Sequence, residues 1–147
     1  MDSGLNEYLN GKFDIEKKDI RTYSPLTLAY IGDAIFDVII RSILVNKGNT
    51  AVNKLHQRAS SIVKAPTQAA MANALMDEFT ETEQDWYRRG RNSKPHTKAK
   101  NASTMDYLEA TGFEAVIGYL YLTEQMDRIC DLVSKGIAAL GLDILED

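Results

Sequence analysis

Hydrophobic positions along this chain recur every three to four residues, which is the period of amphipathic α-helices. The longest such stretch predicts a helix that begins at Ser24-Pro25, where Ser24 is the N-cap and Pro25 occupies the first turn, and that ends at Gly48. Further helices are predicted over residues 50–64, 66–76, 80–90, 104–122 and 129–140. No segment shows a convincing strand pattern, so we expect an all-α fold of about six to seven helices.

The composition fits one globular domain. The chain has 147 residues, of which 44% are hydrophobic and 26% are charged, so we expect a single domain over residues 1–147. No apolar run approaches the roughly 18 residues of a membrane-spanning helix, and no signal peptide is present, so we expect no membrane partner. Cys130 is the single cysteine and cannot form an internal disulfide, which favours the cytoplasm. Its apolar neighbours predict that it lies in the core.

The charge is segregated along the chain. The net charge of -4 argues weakly against a nucleic-acid partner. However, residues 38–76 contain five bases and residues 86–105 contain six, and neither stretch contains an acid. The second stretch includes residues 90–103, which lack apolar periodicity and predict a loop. The pattern fits either ordinary solvated faces or a surface for a polyanion.

Two carboxylates lie within otherwise apolar helices. Asp33 occurs in LAYIGDAIFDVII, and Glu114 occurs in GFEAVIGYLYL. A carboxylate on a largely buried helix must be paired, hydrogen-bonded or bound to metal. Small neighbours such as Gly32 and Gly118 suggest room for a cation or a phosphate. Two carboxylates from two helices could bind Mg²⁺, which prefers oxygen ligands.

Other chemistries find little support. The chain has no GxSxG, HExxH, P-loop or GxGxxG motif. His56 and His96 lack the spacing of a metal site, so each is interpreted as a surface or core histidine and not as a metal ligand. Asp37 and Arg41 have the spacing of a helical salt bridge.

The two carboxylate segments carry a resemblance to the ribonuclease III family. LAYIGDAIFDV resembles that family's signature, typically LEFLGDAVLE, and GFEAVIGYLYL resembles its second metal motif. The resemblance covers residues 26–121, within a motif core of about 24–123. With the intervening LHQRASSIVKAPTQA and RRGRNS segments, the chain looks like Mini-ribonuclease III, the short bacterial branch without a C-terminal RNA-binding domain.

This resemblance implies a dimeric all-α endonuclease domain that cleaves double-stranded RNA with Mg²⁺. Asp33 and Glu114 match the family's metal-binding and catalytic acids. The branch is associated with maturation of large-subunit (23S) ribosomal RNA precursors, so ribosome biogenesis is the implied pathway. Tyr30 matches an aromatic residue that contacts the partner subunit, and the alternative is a core tyrosine.

The chain departs from the larger enzymes at two acidic positions. Ala29 and Thr111 stand where those enzymes have a Glu and an Asp. The departure leaves an alternative open, namely a non-catalytic RNA-binding or ribosome-associated protein that retains the helical dimer. Retention of both Asp33 and Glu114 favours the enzyme.

Without an appended domain, RNA must bind to the catalytic domain itself. A-form RNA is recognised mostly through its shape and backbone, and the basic stretches supply suitable side chains. The expected RNA-binding residues are Lys54, Arg58, Arg88, Arg89, Arg91, Asn92, Lys94, His96, Lys98 and Lys100.

Overall fold

The computed structural model describes residues 4–93 and 102–145. Within these ranges the chain forms seven α-helices and two short 3₁₀ turns and contains no strand, which confirms the all-α prediction. The 3₁₀ turns are Ile20–Thr22 and Asp143–Leu145. The helices are α1 (Leu5–Lys12), α2 (Pro25–Asn46), α3 (Val52–Val63), α4 (Ala65–Leu75), α5 (Glu81–Arg91), α6 (Ala102–Leu122) and α7 (Met126–Ala139).

Side-chain caps fix the starts of α2 and α5, and Ser24 is the N-cap of α2 that the sequence predicts. The Ser24 hydroxyl accepts a hydrogen bond from the Thr27 N–H at 3.2 Å, which starts α2. At the start of α5, the Glu83 N–H donates to Thr80 Oγ1 and the Thr80 N–H donates to Glu83 Oε1, at 3.1 and 2.9 Å. This reciprocal pair is a capping box, and it fixes the N-terminus of α5.

Helix α6 lies at the centre of the fold, because α2, α4, α5 and α7 all pack against it. Phe36 of α2 meets Phe113 of α6 edge to face, with ring centroids 5.3 Å apart. Both aromatic rings are fully buried, as are Ile40, Ile117 and Leu120. The apolar stripes of six helices, α2 to α7, therefore converge on one core.

The backbones of α2 and α6 touch where the two helices cross. A Cβ atom added to Gly32 would lie 1.9 Å from the Glu114 carbonyl oxygen, and one added to Gly118 would lie 1.9 Å from the Leu28 carbonyl oxygen. Position 32 is opposite position 114 and position 28 is opposite position 118, so the helices run antiparallel here. Only residues without a Cβ permit this approach.

A partly buried ion pair connects α5 to α7. Arg128 donates from Nε and Nη2 to the two carboxylate oxygens of Glu83, both at 2.9 Å. Burial would raise the pKa of Glu83, but the hydrogen bonds from Arg128 and Thr80 and the charge of Arg128 outweigh it and lower the pKa. Arg128 also donates to the Glu78 carbonyl oxygen at 2.7 Å, so one guanidinium ties the start of α7 to the segment before α5.

Two features differ from the sequence expectation. Helix α1 was not predicted, because it buries no residue and its N-cap, Gly4, offers no side chain. Cys130 was predicted in the core and is exposed. The buried positions of α7 form one stripe at residues 129, 132, 133, 136 and 137, and position 130 lies outside it. Within the described ranges, no helix has the length and apolar character needed to cross a bilayer.

The close crossing makes a direct prediction about stability. Gly32→Ala should lower the free energy of unfolding by about 3 kcal/mol or more, because a methyl group cannot fit against a backbone carbonyl without separating the helices. Gly11→Ala is the matched control, since a Cβ there meets nothing within 4 Å and alanine favours the helix. Urea unfolding of both variants measures the difference, and equal stabilities would contradict the proposed contact.

Candidate active site

Asp33 and Glu114 lie at the same helix crossing. Asp33 directly follows Gly32 on α2. The carbonyl oxygen that leaves no room for a Cβ atom at Gly32 belongs to Glu114 of α6. Asp33 is exposed, whereas Glu114 is half-buried between the buried Phe113 and Ala115. The fold thus brings together two carboxylate residues that are 81 positions apart in the sequence (114 − 33). Their role as metal ligands stays a prediction.

A third helix contributes a polar side chain to Glu114. Gln68 of α4 donates from Nε2 to Glu114 Oε2 at 3.2 Å and to the Val63 carbonyl oxygen at 2.7 Å. Gln68 is only 2% exposed. Sequence reasoning missed this residue, and the only signal was an amide at an inward position of an otherwise apolar, alanine-rich helix.

The small residues around the two acids have a different purpose from the one expected. Gly32 and Gly118 suggested space for a cation or a phosphate. The structure fills that space with the backbone of the opposite helix, and Ala115 is completely buried. The small residues are therefore needed for helix packing. A ligand can reach the two acids only from the solvent side, where Asp33 is exposed.

The two positions that lack the acids of the larger enzymes are packed into the fold. Ala29 and Thr111 are 6% and 5% exposed, and the Thr111 hydroxyl donates to the Tyr107 carbonyl oxygen at 2.9 Å. Among residues 4–93 and 102–145, no group of three or more His, Cys, Asp or Glu side chains is placed to hold a metal ion. A cation at this crossing would therefore have two carboxylates as its acidic protein ligands.

Three other titratable residues considered from the sequence, Asp37, Arg41 and His56, have ordinary structural positions. Asp37 and Arg41 form the expected i, i+4 salt bridge, with the Arg41 Nε 3.1 Å from the carboxylate. His56 is exposed on α3 beside an apolar groove formed with α2. The sequence interpretation of His56 as an ordinary surface histidine agrees with this position.

The basic end of α5 lies against the same part of α6. A Cβ atom added to Gly90 would be 2.9 Å from the Ala115 Cβ and 3.0 Å from the Gly112 Cα. Gly90 lies between Arg89 and Arg91, and Ala115 follows Glu114, so the basic end of α5 packs against the turn of α6 that carries Glu114.

The three arginines are held by neighbours on α5. Arg88 pairs with Asp85. The Arg89 guanidinium lies 4.2 Å from the ring centroid of Trp86, and that of Arg91 lies 5.9 Å from the ring centroid of Tyr87. Contact with an aromatic ring leaves the edge of a guanidinium able to donate hydrogen bonds. The ring contacts of Arg89 and Arg91 therefore orient these two cations without neutralising them. The aromatic support was a second feature that sequence reasoning missed.

The remaining RNA-binding candidates have varied positions. Asn92 is the C-cap of α5 and is exposed, and on α3 Lys54 is exposed while Arg58 is half-buried. The other candidates, Lys94, His96, Lys98 and Lys100, lie outside the described residues.

Tyr30 is 83% exposed, which excludes the core tyrosine considered from the sequence. It lies on α2, one turn before Asp33 and Ala34. A large aromatic side chain in this position suits contact with a second molecule.

Comparison with known proteins identifies the family. A model of the ribonuclease III domain matches residues 26–125. Mini-ribonuclease 3 of Clostridium tetani is 42% identical over 130 residues, which cover 88% of this chain and 85% of that protein. Mini-ribonuclease 3 of Enterococcus faecalis is 44% identical over 126 residues, which cover 84% and 96%. A crystal structure of a Fusobacterium nucleatum protein is similar with a TM-score of 0.71 and 30% identity, covering 81% of this chain and 96% of that one. This chain belongs to the ribonuclease III family of endoribonucleases, in its Mini-ribonuclease 3 branch.

Proposed function

We propose that this chain is a divalent-metal-dependent endoribonuclease that cleaves double-stranded RNA. Asp33 and Glu114 are its metal-binding and catalytic acids. The observation that carries the proposal is the single region in which α2, α5 and α6 meet. There the Gly32 contact brings Asp33 next to the segment of α6 that carries Glu114, and the Gly90 contact packs the basic end of α5 against the same turn of α6. Acids for a cation and cations for phosphates are what hydrolysis of RNA requires.

The residues present fit Mg²⁺. This ion binds through one or two carboxylates, keeps several waters and takes further oxygen ligands from substrate phosphates. Asp33 is exposed, so an RNA phosphate can approach the cation that it helps to hold. With Ala29 and Thr111 packed into the fold, we expect weaker binding of Mg²⁺ than in a site with four acids, and a larger share of ligands from RNA.

The chemistry follows from these positions. When bound, Mg²⁺ lowers the pKa of a coordinated water and stabilises the charge that develops on the phosphodiester. Asp33 and Glu114 hold the cation at the crossing, and the arginines at the end of α5 bind flanking phosphates. Guanidinium groups suit this task because they donate to phosphate oxygens in a planar, two-pronged geometry. The products would carry 5′-phosphate and 3′-hydroxyl ends.

We further propose that the enzyme acts as a homodimer in the cytoplasm. The 83% exposure of Tyr30 supports a contact at α2, one turn from Asp33. Two-fold symmetry would place the two sites so that each subunit cuts one strand of the duplex. Membership in the Mini-ribonuclease 3 branch supports precursors of large-subunit (23S) ribosomal RNA as the substrate, and hence a role in ribosome biogenesis.

The acids are tested by removing their charge without changing their size. Asp33→Asn and Glu114→Gln should each lower the rate of duplex cleavage about 100-fold or more, because removing a ligand costs at least as much as removing a partner of a ligand. Asp37→Asn is the control, since Asp37 lies one turn away and is paired with Arg41. Single-turnover cleavage of a labelled RNA duplex in Mg²⁺, with EDTA added in parallel, measures the rates.

The same cleavage assay can also contradict the proposed function. Equal cutting by Asp33→Asn would refute the assignment of that residue. A wild-type chain that binds the duplex and never cuts it would instead indicate the non-catalytic RNA-binding protein.

The arginines are tested through the salt dependence of RNA binding. Replacing Arg88, Arg89 and Arg91 by Ala should weaken duplex binding and reduce the slope of log affinity against log salt by about 1 for each phosphate that an arginine binds in the wild-type protein. Arg21→Ala is the control, because Arg21 is exposed and pairs only locally with Asp19. Binding is measured in EDTA to prevent cleavage, and an unchanged slope in the triple variant would contradict the proposed role of these arginines.

A further inference from the structure

A buried amide group contacts the proposed metal-binding acid from a helix that carries no carboxylate of its own. Gln68 is one turn into α4, and its side chain is almost completely enclosed. Its nitrogen reaches Glu114 Oε2 at 3.2 Å and the Val63 carbonyl oxygen at 2.7 Å. Val63 is the last residue of α3, so the amide connects the junction of α3 and α4 to α6.

These contacts fix the orientation of the amide. Both partners are hydrogen-bond acceptors, so the NH₂ group must face them, and each of its two N–H bonds has one acceptor. The opposite end of the side chain, Gln68 Oε1, is buried and has no hydrogen-bond partner among the described residues. An apolar side chain of the same size would avoid burying that oxygen, so packing alone does not explain a glutamine here.

We propose that Gln68 is a positioning residue that holds the Glu114 carboxylate in the orientation needed to bind a divalent cation. This inference rests on the proposed function of Glu114. A glutamate side chain has three rotatable bonds, and a donor anchored on the Val63 carbonyl oxygen restricts the direction in which the carboxylate points. An ionised carboxylate has about four lone-pair sites, so a hydrogen bond to Oε2 is compatible with metal coordination by the same group. Partners of this kind commonly orient metal ligands.

A purely structural role makes a different prediction. If Gln68 served only to tie α3 and α4 to α6, its loss would lower stability and leave the affinity of the folded protein for divalent cations unchanged. Metal affinity in the absence of RNA therefore separates the two roles, and it does so without relying on enzymatic activity.

The direct test is Gln68→Met, which keeps an unbranched side chain of similar length and removes the donor. We expect the affinity of the RNA-free protein for Mn²⁺, titrated by electron paramagnetic resonance, to fall about 10-fold or more. Gln84→Met is the matched control, because Gln84 Nε2 donates only to the carbonyl oxygens of Met76 and Phe79, at 3.1 and 3.4 Å. That variant should bind Mn²⁺ as the wild-type chain does, and thermal melting of both variants reports their folding.

A double-mutant cycle shows whether the effect passes through Glu114. In a Glu114→Gln background, Gln68→Met should cause no further loss of Mn²⁺ affinity. A loss that persists in that background, or wild-type affinity of the single Gln68→Met variant, would overturn the inference.

A second measurement needs no Gln68 variant and so does not depend on its folding. In the ¹⁵N-labelled wild-type protein, the side-chain NH₂ resonance of Gln68 should shift on addition of Mg²⁺, and that of Gln84 should not. No shift at Gln68 would also overturn the inference. If the wild-type chain binds no divalent cation, the proposed metal site fails together with this inference, whereas binding that requires Asp33 and ignores Gln68 refutes this inference alone.

Discussion

The contact between the backbones of α2 and α6 is the constraint on which the rest of this structure depends. At Gly32 and Gly118 each helix presents a position without a Cβ, and the opposite helix fills the space with its own carbonyl group. Because α6 is also the helix that α4, α5 and α7 pack against, its position relative to α2 sets the whole arrangement. The same contact puts Asp33 beside the segment that carries Glu114. The position of the two acids therefore depends on the packing of the core.

The site combines opposite charges that the net charge of the chain conceals. The net charge of -4 hides a local excess of positive charge, because 11 of the 17 bases lie in two stretches that contain no acid. The turn of α6 that carries Glu114 packs against the arginine-rich end of α5, where Arg89 and Arg91 lie over the rings of Trp86 and Tyr87. Burial and the charge of Glu109 raise the pKa of Tyr87, and Arg91 opposes this only in part, so the ring stays an uncharged support. In the proposed function, these oriented cations bind phosphates that flank the cleavage site.

Local signals predicted most of the fold, and contacts between distant segments account for what was missed. Ser24-Pro25 and the Thr80–Glu83 box determine helix starts through neighbouring residues, so their pattern is visible in the sequence. The resemblance of two segments to ribonuclease III identified Asp33 and Glu114 as the candidate metal-binding acids. Gln68 gave no such signal, because its importance depends on an atom 46 residues away. The small size of Gly32 is visible in the sequence, but the sequence does not show whether a ligand or a helix occupies the space beside it, and the structure places a helix there.

In the proposed enzyme, one helix crossing assembles Asp33 and Glu114 into a single cation site. The most direct measurement is anomalous X-ray diffraction from crystals of the chain soaked in Mn²⁺. We expect one anomalous peak per chain within coordination distance of both carboxylates. A peak bound by only one of them, or Mn²⁺ bound elsewhere while this crossing stays empty, would contradict it.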